Sequence, residues 1–181
     1  MNIYIVRHGQ TNWNRDKLLQ GQLDIELNEI GYKQAEETAI LLSDKKFTRM
    51  YVSPLSRTSI TASKINEYHN LNIIYDDRIL ERSFGKMEGL KGSEVDVPSF
   101  WNLGKNRDEN EVETIKDFFK RVYSFLDEIT LKYKNTDENI LIVTHNGVNI
   151  ATNCYFNGCN DNTDLLALGI DTCSFKKYSI N

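Results

Sequence analysis

Disulfide staples are missing from this chain of 181 residues, which has only three cysteines, Cys154, Cys159 and Cys173. An odd number in a chain of ordinary size gives no disulfide framework. Their spacing lacks the Cys-x-x-Cys pairs of a structural zinc site. Buried, reduced thiols in a cytoplasmic protein are therefore expected. A basic excess is missing too: 22 Lys and Arg stand against 26 Asp and Glu, a net charge of −4. That balance speaks against a nucleic-acid partner and requires any anion site to be a local basic cluster on an acidic body. No apolar run approaches the roughly 20 residues that cross a bilayer, so no membrane association is expected. The N-terminal apolar run is too short for a signal peptide, lacks a basic lead and meets Arg7 at once. There is no repeat, low-complexity tract or linker, so residues 1–181 are expected to form one domain. Oligomeric state leaves no trace in the sequence.

What is there begins at the N-terminus, with MNIYIVRHGQTNWN. Ile3, Tyr4, Ile5 and Val6 are a short β-rich run suited to a strand buried on both faces. It ends in Arg7, His8 and Gly9. Ligands of open α/β sheets sit outside the carboxyl ends of the strands, which is where these residues fall. Arg offers a planar fork for phosphate, a neutral His offers a nitrogen nucleophile, and Gly lets the backbone turn closely. A second apolar run, residues 139–144, ends in His145, Asn146 and Gly147. If the two strands are neighbours, His8 and His145 face each other across one pocket.

Between these strands the pattern alternates. Asn28 is a candidate N-cap for a helix over 29–43. A strand over 50–52 stops at Ser53-Pro54, and a helix over 55–68 follows, with Pro54 in its first turn and Arg57 near its start. A strand is expected at 72–75, then a loop with two glycines over 80–89. Residues 91–112 are polar, with a short helix only around Phe100 and Trp101. The clearest helix covers 113–133, where apolar residues recur at helical spacing. A helix over 148–156 and an edge strand over 172–180 close the chain. The alternation predicts an α/β three-layer sandwich, a mostly parallel sheet with helices on both faces.

Five stretches stand in order along the chain: RHGQTNWN at 7–14, QGQLDIELNEIGYKQA at 20–35, SPLSRT at 53–58, LERSFGKMEG at 80–89 and THNG at 144–147. Together they resemble the histidine phosphatase superfamily, on the branch of the cofactor-dependent phosphoglycerate mutases and their phosphatase relatives. The resemblance implies a phosphate pocket at the strand carboxyl ends. In it His8 becomes phosphohistidine, Arg7, Arg57 and His145 clamp the phosphate, Asn14 adds a polar contact, and Glu81 is the proton donor. Gln20, Gly21, Arg82 and Asn146 join the substrate-binding set. No metal or other cofactor is implied, and the partner is a small-molecule phosphate ester. Asn146 departs from the family, which commonly has Gly there; Asn tolerates a left-handed backbone, and its side chain would be near the phosphate.

The chemistry agrees with these roles. Phosphoryl transfer is catalysed mostly by positioning and electrostatic stabilisation, which two Arg forks and an imidazolium at His145 would supply. His8 has to be neutral, with its other ring nitrogen held by an acceptor. A poor leaving group needs a carboxylic acid, and the substrate phosphate would raise the pKa of Glu81 by like charge. Hydrolysis is the leading expectation. A mutase is the runner-up, favoured by Arg82 but opposed by the short interval of 145 − 81 = 64 residues and the short tail after His145. A catalytically silent phosphoester-binding module is the alternative of another class. Elsewhere, His69 reads as a surface residue, and Glu88 as a backbone ligand of the site or a structural residue. Trp13 reads as either pocket rim or packing, and the aromatic stripe of 113–133 as core.

Overall fold

A run that is apolar at every position belongs to a strand with helices on both sides, and the computed structural model, which describes residues 1–180, places both such runs centrally. In chain order the elements are β1 (Asn2–Arg7), α1 (Asn12–Arg15), α2 (Glu29–Leu42), β2 (Arg49–Val52), α3 (Ser56–Asn66), β3 (Ile73–Tyr75), α4 (Val97–Phe100), α5 (Ile115–Tyr133), β4 (Asn139–Thr144), α6 (Asn146–Asn157) and β5 (Phe175–Ser179). The sheet order is β3-β2-β4-β1-β5, parallel except for β5, which runs antiparallel on β1 at the edge. β1 and β4 are neighbours. Their register runs from Asn2 opposite Asn139 to Arg7 opposite Thr144, so both strands end level.

Side chains alternate across a strand, and here they sort into two cores. Ile3, Ile5, Ile140 and Ile142 pack under α5 and α6. Tyr4, Val6, Leu141 and Val143 pack under α2 and α3. This is the expected α/β sandwich. α5 anchors the first core: Phe118, Val122, Phe125 and Ile129 are fully buried along one face. Each such side chain contributes about 1.5–3 kcal/mol of burial, which dominates over the helix's own propensity.

Helix boundaries follow local chemistry. Asn28 Oδ1 accepts from Gly31 N at 2.8 Å and starts α2 as expected. Pro54 lies outside α3, contrary to expectation. Ser53 N still bonds to Val143 O of the sheet, and Leu55 is the extended N-cap, so the chain needs Pro54 and Leu55 to leave the strand. α6 starts at Asn146, two residues earlier than expected, because His145 takes the N-cap position. Asn146 is thus the first helical residue and needs no left-handed backbone. The polar stretch 91–112 contributes Phe100, Trp101 and Val112 to the first core through α4 and short 3-10 turns. The three cysteines are unpaired; Cys154 and Cys173 are buried and Cys159 half-buried. Among the described residues no helix is long and apolar enough to cross a membrane.

Candidate active site

The level ends of β1 and β4 deliver His8 and His145, whose ring centroids lie 5.2 Å apart with the planes at 63°. His8 N donates to Thr144 O at 2.9 Å, which carries the sheet ladder one residue past the strand. Its Nδ1 lies 2.7 Å from Gly9 O. A carbonyl only accepts, so Nδ1 holds the hydrogen and Nε2 keeps its lone pair. Gly9 N in turn donates to Thr61 Oγ1 at 3.1 Å, and a Cβ at Gly9 would press on the Gly31 carbonyl at 2.5 Å. The turn after β1 therefore requires glycine for close approach.

His145 is the opposite tautomer. Arg57 Nε donates to its Nδ1 at 3.4 Å, so Nε2 carries the hydrogen toward Ser53 Oγ at 2.7 Å. Burial first, then the guanidiniums of Arg57 and Arg7, hold His8 well below the usual imidazole range. Burial and then Arg57 do the same to His145. Both rings are thereby biased toward the neutral form, and the cations the fold fixes beside them are the arginines.

Arg57, in the first turn of α3, is fully buried, and burial brings its pKa down to about 10, which leaves it cationic at neutral pH. Its Nη1 donates to Leu23 O at 2.8 Å and Nη2 to Gly21 O at 2.7 Å. Gly21 thus meets the clamp through its carbonyl. It sits at φ +51°, and a Cβ there would collide with the Glu88 carboxylate. That carboxylate accepts from Gln22 N and Phe84 N on Oε1 and from Leu23 N on Oε2, each at 3.0 Å. Glu88 therefore holds the loop that holds Arg57. Arg7 donates from Nη1 to Ile170 O at 2.6 Å, while its Nε is buried without a partner. A buried, unpartnered guanidinium N–H beside a second arginine is a donor set suited to an oxyanion.

Glu81 reaches the same place from the loop after β3. Thr144 Oγ1 donates to Ile79 O at 2.7 Å and brings that loop over the end of β4. Glu81 Oε1 accepts from Arg82 N at 2.9 Å and Oε2 from Gly147 N at 3.2 Å. A Cβ at Gly147 would collide with this carboxylate and lie 2.9 Å from the Trp101 ring. Glu81 is also close enough to Arg7 and Arg57 to favour their cationic forms.

Other candidates lie elsewhere or act differently. Asn14 Oδ1 accepts from Thr11 N at 3.0 Å and Gln20 Oε1 from Thr11 Oγ1 at 3.0 Å, so both amide oxygens serve the cap of α1. Asn146 Oδ1 accepts from Ile170 N at 2.9 Å; with Arg7 on Ile170 O, the two side chains grip one residue of the loop before β5. Arg82 is fully buried, donates to Glu113 O at 2.8 Å and to Phe100 O, and lies over the Trp101 ring, while its Nη2 is buried without a partner. Two of its three nitrogens are thus drawn to the inward-facing carbonyls of Phe100 and Glu113. His69 is half-buried with its ring edge-to-face against Phe47, 5.0 Å between centroids, and so is not the surface residue expected. Trp13 packs over Gly89. Ser53 and Thr61, a hydroxyl on each half of the site, were not singled out by the sequence. Their one signal was proximity to Arg57 in and after SPLSRT.

Two imidazoles held below their ordinary range make a pH prediction. The unfolded chain binds their protons more readily, so this stability is complete above about pH 6.5 and is lost as pH falls toward the depressed folded values. The melting temperature should therefore drop between pH 7 and 5, with a shallower slope in a His8→Asn/His145→Asn double variant. An equal slope in the two proteins would contradict the depressed imidazoles.

Residues 3–181 match the histidine phosphatase superfamily (branch 1). Phosphoserine phosphatase 1 of Hydrogenobacter thermophilus is 31% identical over 181 residues, 97% of this chain and 84% of that protein. The fructose-2,6-bisphosphatase TIGAR of Xenopus tropicalis is 41% identical over 130 residues, 64% of this chain and 47% of its own; the chain thus spans about half the length of that relative. A mycobacterial glucosyl-3-phosphoglycerate phosphatase shares the fold at a TM-score of 0.85 and 24% identity, over 97% of this chain and 88% of that one.

Proposed function

Because this chain belongs to the histidine phosphatase superfamily (branch 1), we propose that it hydrolyses a small phosphorylated metabolite through a phosphohistidine on His8, with Glu81 as proton donor and no metal ion. The observation that carries this reading is the tautomer of His8: Nδ1–H on Gly9 O and a free Nε2 in front of two buried arginines.

In the first step Nε2 forms a bond to phosphorus while the ester P–O bond breaks. The ring gains positive charge, which the Gly9 carbonyl stabilises at Nδ1–H. Arg7 and Arg57 bear the charge spread over the phosphoryl oxygens. Glu81 gives its proton to the departing alkoxide. In the second step the Glu81 carboxylate takes a proton from water, the water oxygen bonds to phosphorus, and the N–P bond breaks. The same arginines that keep His8 neutral also make it a good leaving group from phosphorus. Arg7, Arg57 and His145 hold the phosphate, while Asn14, Gln20 and Asn146 act through the turns they fix.

The rival is return of the phosphoryl group to a bound acid. Arg82, the residue that would hold an acceptor carboxylate, gives Nε to Glu113 O and Nη1 to Phe100 O and keeps only Nη2 without a partner, a weaker fork for a carboxylate, which favours hydrolysis. With 2,3-bisphosphoglycerate present and EDTA added, 3-phosphoglycerate should lose phosphate, or not react, rather than interconvert with 2-phosphoglycerate. Isomerisation tenfold or more above phosphate release, about 1.4 kcal/mol between the barriers, would overturn hydrolysis in favour of the mutase. The screen that tests the reading as a whole is phosphate release from a panel of metabolite phosphates in EDTA. No turnover of any ester would leave the silent binding module.

A further inference from the structure

Resting on Glu81 as proton donor, we propose that Arg121, on the core helix α5 and paired with Glu113, is the positioning residue that sets where the donor carboxyl stands.

A guanidinium has five N–H groups in one plane, and Arg121 uses all five on this one task. Nε donates to Glu113 Oε1 at 2.6 Å and Nη2 to Glu113 Oε2 at 2.8 Å, a bidentate pair. Nη1 donates to Arg78 O and to Leu80 O, each at 2.8 Å, and Nη2 to Glu81 O at 2.9 Å. Three carbonyls of the loop that carries Glu81 thus converge on one side chain forty residues away. Glu113 completes the grip from the other side. Its Oε2 accepts from Ser83 N at 3.2 Å, and its backbone N donates to Ser83 O at 3.0 Å.

The support is rigid because α5 is. Phe118, three residues before Arg121 and fully buried, lies 4.8 Å beneath the Arg121 guanidinium. Its ring is also 3.1 Å from where a Cβ of Gly147 would stand, and Gly147 N is the donor that holds Glu81 Oε2. One face of α5 therefore supports both ends of the carboxyl: the main chain through Arg121, and the side chain's partner through Phe118. The site opposes this grip with little else from the solvent side, where exposed Gln22 Nε2 donates to Glu81 O at 3.0 Å. A loop with no regular secondary structure at Glu81 gains its fixed position from the helix behind it. Arg121 touches neither phosphate nor nucleophile, so its influence is on where the proton is delivered.

Lysine keeps the charge but offers a point donor in place of a planar fork, and cannot hold three carbonyls and a bidentate carboxylate together. A displacement of about 1 Å at a reacting group costs on the order of a hundredfold in rate. Arg121→Lys is therefore expected to lower kcat for an alkyl phosphate by roughly 10- to 100-fold. Because p-nitrophenolate leaves without a proton, its phosphorylation step, read as the pre-steady-state burst, should slow by less than about threefold. In a Glu81→Gln background, Arg121→Lys should add nothing further for the alkyl ester, since there is no donor left to misplace.

The arms separate the two claims. Glu81→Gln alone slowing the phosphorylation step of both esters equally would overturn the proton-donor reading, and Arg121's role with it. A selective Glu81→Gln alongside an Arg121→Lys that slows the phosphorylation step of both esters equally, or that multiplies there with Glu81→Gln, would overturn the positioning role alone. Should Arg121→Lys fail to fold by circular dichroism, Glu113→Gln carries the test, since it keeps Arg121 and weakens only the bidentate pair. The same selectivity for the alkyl ester supports the proposal there, and its absence overturns it.

Discussion

Replacing His8 by alanine is expected to remove turnover, with a loss on the order of 10⁶-fold, the scale seen when a covalent nucleophile is removed from a hydrolase. Every other charge in the site survives this change. Arg57 stays fixed on Gly21 O and Leu23 O, and Arg7 on Ile170 O. The variant should therefore still bind a phosphate ester while failing to break it, and binding of an unreacted ester is the companion measurement. Wild-type protein quenched in base should hold one acid-labile phosphoryl group, and the variant none. His8 is buried among the ends of β1 and β4, so His8→Asn, which keeps a side chain near Gly9 O, serves as the control for packing. A variant that retained a hundredth or more of wild-type turnover would show that phosphorus is attacked by something other than His8.

The second large effect is expected at Glu81. Glu81→Gln keeps the shape and one oxygen to accept from Arg82 N or Gly147 N, but cannot give up a proton. General acid catalysis contributes about 10²–10⁴-fold when the leaving group is poor, and far less when it departs as a stable anion. Alkyl phosphates should lose that much in kcat, while the phosphorylation step with p-nitrophenyl phosphate should change little. Dephosphorylation by water is slowed for both esters, because Glu81 also acts there as base. A pre-steady-state burst of p-nitrophenolate should therefore appear in the variant. Equal slowing of the first step for both leaving groups would remove Glu81 from the acid role.

The glycines of the site show how sequence and structure divide the account. Gly21 and Gly147 stand in recognisable motifs, yet the reasons for them are distant carboxylates. A Cβ would meet Glu88 in one case and Glu81 in the other. Local sequence carries the motif, and packing carries its cause. The same holds for arginine. Arg57 and Arg82 are both charged, both fully buried and both in quoted motifs, yet one lies against His145 and the other against Trp101. The difference lies in which carbonyls are near: Gly21 and Leu23 for Arg57, Phe100 and Glu113 for Arg82.

The sequence by itself determined the sandwich and the two strand ends that carry His8 and His145. Period-two burial on both faces makes an unbroken apolar run, which is why β1, β4 and the histidines after them were legible in order. It also determined α5, whose apolar spacing is that of a helix with one buried face. Only the tertiary structure decided that β1 and β4 end level, that burial beside Arg57 holds His145 below the usual imidazole range, that Arg82 lies against Phe100 and Glu113 and that Arg121 stands behind Glu81. Each of these depends on groups far apart in the chain: His145 on Arg57 88 residues away, Arg121 on Glu81 40 residues away. Dihedral preferences and hydrophobic periodicity act over a few residues. Burial of a charge, the donor it lacks and the carbonyl it finds are settled only when the chain has packed.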